Sequence, residues 1–72
     1  MTSDLDPHDA ELVRTLFTRA VDAIEDAHEA CMRGQRRGLD PARVTDLAEH
    51  AGVLCREASA LLAAVRKIAG VR

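Results

Sequence analysis

Apolar residues recur at alternating steps of three and four along two stretches of this chain. In the first stretch Ala10, Val13, Phe17, Ala20, Ile24, Ala27 and Cys31 keep the rhythm. In the second it is kept by Val44, Leu47, Ala51, Leu54, Ala58, Leu61, Val65 and Ile68. A repeat of about 3.5 residues holds one stripe of an α-helix against a partner over its whole length, while a half-buried strand would need strict alternation. The sizes along each stripe alternate as well. Past the first turn, the a positions of the first stretch are large (Phe17, Ile24) and its d positions small (Ala20, Ala27). The second stretch reverses this, with Ala51 and Ala58 at a and Leu54 and Leu61 at d. Small opposite large is how helical layers fill space without voids. The expected core and interaction seam is therefore built on Phe17, Ile24, Leu47, Leu54, Leu61 and Val65.

The same three residue types open both stretches, as Leu5-Asp6-Pro7 and Leu39-Asp40-Pro41. An Asp carboxylate at the N-cap accepts hydrogen bonds from orphan backbone N–H groups, and Pro at N1 has no N–H to lose. Asp9 and Glu11 add favourable charge to the first turn. Between the stretches, Gly34-Gln35-Arg36-Arg37-Gly38 ends one helix and turns the chain, and Gly70 ends the other. These signals predict an N-terminal tail over 1–6, one helical-hairpin domain over 7–69 and a C-terminal tail over 70–72. Within the domain, helix 1 covers about 7–33, the turn 34–40 and helix 2 about 41–69. Gly52 weakens helix 2 by about 1 kcal/mol relative to Ala without interrupting it.

A turn this short makes the two helices antiparallel neighbours. Each helix also carries a second apolar strip: Leu12, Leu16 and Val21 on helix 1, and Ala48, Cys55, Leu62 and Ala69 on helix 2. A lone hairpin covers one strip and leaves the other in water. The expectation is an all-α antiparallel hairpin that dimerises into a four-helix bundle, most simply with two-fold symmetry. Over the whole chain, the heptads, turn and small/large layers resemble the Rop family of dimeric helical hairpins. Members of that family bind RNA through one face of the bundle. The polar face of helix 1 here is acidic, so the RNA-binding activity is not carried over.

Composition agrees with helix. The chain is 47% hydrophobic, with Phe17 as its only aromatic residue and no Trp or Tyr. Alanine and leucine dominate, which favours helix and argues against a sandwich or barrel. With 72 residues, one small domain is the limit, and domains of that size are often helped by a metal, disulfides or oligomerisation. The net charge of −2 gives no whole-chain case for nucleic acid or an anionic membrane. Its distribution is uneven. Residues 1–32 carry eight acids against Arg14 and Arg19, a net of −6. Residues 33–72 carry eight bases against Asp40, Asp46, Glu49 and Glu57, a net of +4. An acidic half and a basic half suit two elements lying against each other. The N-terminal residues lack a basic region followed by an apolar one, and no run reaches the ~18–20 apolar residues of a membrane span. The expectation is a cytoplasmic chain with reduced cysteines.

Three groups of residues carry candidate chemistry. Glu25-Asp26-Ala27-His28 is a Glu-x-x-His, similar to the ligand motif of ferritin-like di-iron bundles. That resemblance implies a di-metal carboxylate site with Glu49 as partner carboxylate. The heptad opposes it, because Glu25 falls at b and Glu49 at f, toward solvent, with His28 at the flanking e position. His28 and Cys31 share a helix face, and a thiolate-imidazole metal site would need His50 and Cys55 to complete it. Within one hairpin these four do not converge, and the axial offset argues against a Cys31–Cys55 bridge. The reading favoured here makes both cysteines small apolar fillers. Arg33, Arg36, Arg37 and Arg43 cluster at the turn, where with the helix 2 N-terminus they offer an anion-binding site. With no interleaved aromatics they read first as a solvated basic turn.

No nucleophile-base-orienter set is present. The sequence therefore points to a small non-enzymatic protein, with no cofactor expected, that self-associates and works through protein contacts as an adapter, regulator or accessory subunit. The alternative is a metal-binding or redox bundle using Glu25, His28 and Cys31 at a subunit contact, with Glu49 and His50. A weaker alternative is anion or nucleic-acid binding through the turn arginines.

Overall fold

The computed structural model describes residues 5–70. It is an antiparallel hairpin of two helices, α1 (Pro7–Gly34) and α2 (Pro41–Ala69), drawn out to 56 × 19 × 17 Å.

Both helices start in the same way. Asp6 is extended (φ −68°, ψ 163°) and its Oδ1 accepts the backbone N–H of Asp9 at 2.8 Å. Asp40 repeats this (φ −80°, ψ 163°), its Oδ1 accepting from the Arg43 N–H at 2.8 Å. In each case Pro occupies the first helical turn. The C-termini differ. α2 ends on Gly70 in the left-handed region (φ +74°), where its N–H bonds the last carbonyls, the geometry that glycine reaches without a Cβ penalty. α1 instead runs through Gly34 and closes on Gln35, which keeps right-handed helical angles. The positive φ that turns the chain back comes from Gly38 (+82°). The Gly34–Gly38 pair therefore shares its work unequally: one continues the helix and the other makes the turn.

The seam between the helices is built mostly from alanine. α1 contributes Ala20, Ala23, Ala27 and Ala30, each at most 6% exposed, and α2 contributes Leu47, Ala51, Ala58 and Val65. Leu39 from the turn packs onto the group formed by Ala30, Leu47 and Ala51 and closes that end. Small side chains let helices approach toward the near end of the usual ~8–10 Å range. Close approach brings the helix bodies into dispersion contact at little cost in side-chain ordering.

On α2 the stripe read from the heptad holds from Leu47 to Val65, with Leu54 and Leu61 half-buried between fully buried members, while its first residue, Val44, is 45% exposed. On α1 it is rotated by a fraction of a turn, with Ala20 and Ala27 kept inside. Leu16, Ala23 and Ala30 face α2 where the heptad reading puts Phe17, Ile24 and Cys31. Phe17 and Ile24 are 47% and 52% exposed, so within the hairpin they are not seam residues. The apolar sector of α1 is wider than one partner helix covers, running from Leu12 and Leu16 through the alanines to Ile24, Phe17 and Val21. The backbone settles on the alanines at its centre, which allow the closest approach.

Candidate functional site: an open apolar face

The rotation leaves the large apolar residues of α1 outside. Phe17, Val21 and Ile24 follow one another at steps of four and three and are 47%, 49% and 52% exposed. His28 and Cys31 continue the same stripe toward the turn, both exposed. Opposite them on α2, Val44, Ala48, Ala51, Cys55, Ala58 and Leu62 also advance by alternating fours and threes. The two stripes border one groove. Near the middle of the hairpin Ile24 lines it with Cys55, Ala58, Ser59 and Leu62 over a volume of about 510 Å³, and Arg66 stands at its edge. Nearer the turn it continues between Cys31 and Gly34 on one side and Val44, Ala48 and Ala51 on the other. The second strip expected on α2 (Ala48, Cys55, Leu62) thus lies where the sequence puts it. On α1 its counterpart is Phe17, Val21 and Ile24, while Leu16 has moved into the seam. Leu12 remains 40% exposed.

This face has little charge. Arg66 is the one charged residue that lines the groove near Ile24. The acidic residues of α1 lie elsewhere, with Glu11 paired to Arg14 at 2.7 Å and Glu29 to Arg33 at 3.1 Å on exposed surface. Such pairs contribute at most about 1 kcal/mol each. They keep the remaining faces hydrated.

The candidate ligands are not brought together. Glu25, His28, Glu49 and His50 are all exposed. His28 belongs to the stripe of Val21 and Ile24, whereas His50 lies on the other flank of α2, in line with Asp46, Val53 and Glu57. Among the described residues no three His, Cys, Asp or Glu side chains gather as a metal site requires. Cys31 and Cys55 are free, exposed thiols. Cys31 lines the groove beside Ala48 and Ala51, and Cys55 is one helical turn beyond Ala51.

Of the turn arginines, Arg33 donates to Glu29, and Arg36, Arg37 and Arg43 are exposed. At the N-terminus of α2 the Asp40 carboxylate accepts the Arg43 N–H at 2.8 Å. Among the described residues, no helix is long and apolar enough to cross a membrane. Comparison with family models, curated proteins and solved structures finds no match to this chain.

Proposed function

We propose that this hairpin works through protein contacts made by its open apolar face, as a non-enzymatic adapter, regulator or accessory subunit. One observation carries the reading: Phe17, Val21 and Ile24 stand about half-exposed in a row beside an apolar groove, while the buried seam holds mainly alanine. Exposed apolar residues scattered singly need no explanation, but a contiguous face flanked by charged surface marks an interaction site.

The test is a photo-reactive residue placed at Val21 in the native host, followed by irradiation and mass analysis of the adducts. A protein adduct that disappears when Ile24→Asp is added supports the reading. An unlinked chain, with the label fully incorporated and the hairpin folded, contradicts it.

A further inference from the structure

We infer that the occupant of the open face is a second copy of this chain, docked face to face so that two hairpins close one four-helix core. The inference rests on the protein-contact reading above and names the partner.

Three observations carry it. The first is area. A compact protein of 7.8 kDa exposes roughly 4,400 Å². This chain exposes 5773 Å². The excess, about 1,400 Å², belongs to the drawn-out shape of the hairpin, 56 × 19 × 17 Å, and leaves room for the ~800 Å² per partner that a stable interface covers. The second is the lack of a core. Among the described residues no large side chain is fully buried, and the deepest positions are alanines. Chains of this length often gain the missing core by association. The third is self-complementarity. A two-fold contact uses one patch on both partners, so the patch must carry both protrusions and recesses. This face has both, with Phe17, Val21 and Ile24 projecting and the groove between Ile24, Cys55 and Leu62 receiving. The groove near Ile24 is lined by apolar and small residues with one charged side chain, Arg66.

Sedimentation equilibrium on the full chain, from low to high micromolar, reads the mass. The expected result is twice the chain mass, with Cys55 alkylated at least tenfold more slowly at the high end of the range than at the dilute end. Ile24→Asp should shift the population toward the single-chain mass. Since that variant could unfold, the wild-type dilution series stands as the deciding measurement. A helical single-chain species across the whole range, with Cys55 alkylation independent of concentration, overturns the second copy as occupant. The photo-crosslink separates the two failures. A heterologous adduct with a single-chain mass overturns only the self-association, whereas no adduct of any kind removes the contact reading with it.

Discussion

Ala23 and Ile24 are neighbours in the chain but have opposite surroundings: Ala23 is 4% exposed against α2, and Ile24 is 52% exposed beside an open groove. The smaller residue is inside and the larger outside. A hairpin arranged this way gains close backbone packing from its alanines but little of the hydrophobic stabilisation its larger side chains could supply. Burying a side chain of Ile or Phe size contributes about 1.5–3 kcal/mol. That contribution is realised only when the face is covered.

The seam should be intolerant of bulk. Ala27 is 6% exposed between the helices. Ala27→Leu should force them apart and destabilise the fold by about 1–3 kcal/mol, read from the urea midpoint at fixed protein concentration. A change under about half a unit would mean the helices are not packed as closely as described.

The largest buried side chain should be equally intolerant of truncation. Leu47 is 7% exposed and packs with Ala30, Ala51 and Leu39. Leu47→Ala leaves a cavity at the turn end of the seam and should cost about 2–5 kcal/mol per copy. The half-buried Leu54 should lose less on the same truncation, unless a second copy completes its burial. The measurement is again chemical denaturation.

Two glycines separate helix propensity from backbone need. Gly52 lies inside α2, and a Cβ there would meet only the Arg56 guanidinium at 3.6 Å. Gly52→Ala should stabilise the protein by up to about 1 kcal/mol. Gly38 has φ +82° with open space around it. There Gly38→Ala should destabilise by about 1 kcal/mol through strain alone. Equal effects of the same sign at the two sites would contradict the assigned backbone.

The repeated caps give a matched pair. Asp6 and Asp40 each accept a backbone N–H at 2.8 Å. Asp6→Ala and Asp40→Ala should each cost about 1 kcal/mol, and Asn at either position should recover most of it. Thermal melts of the four single variants check this directly.

The hairpin itself was legible in the sequence because its ends are made by residues with local mechanisms. Asp-Pro starts each helix and Gly70 stops the second, whatever the helices pack against. The buried stripe of α2 is legible too, since Leu47 and Val65 anchor its two ends. The stripe of α1 is legible only in part: Ala20 and Ala27 stand on the heptad, while Ala23 and Ala30 are overshadowed by Phe17 and Ile24 on the adjoining flank, because alanine adds little to a hydrophobic pattern. Periodicity finds the apolar sector, but which residue sits at its centre is decided by how closely two backbones can approach. The regular Ala-x-x-Ala-x-x-x-Ala-x-x-Ala of α1 was the signal that could have found it. The turn was read in part, because Gly34 and Gly38 look alike in sequence and only Gly38 adopts a positive φ.

On the two-copy inference this chain lacks a sufficient core until a second copy covers Phe17, Val21 and Ile24, so folding and association are one event. The direct measurement is the thermal midpoint of the wild-type chain, followed by far-ultraviolet circular dichroism across a hundredfold range of protein concentration. Stability drawn from a partner copy follows mass action, so the midpoint should rise steadily with concentration in a single cooperative transition. A midpoint that stays the same across the whole range would show that one hairpin is stable on its own, and would contradict the account.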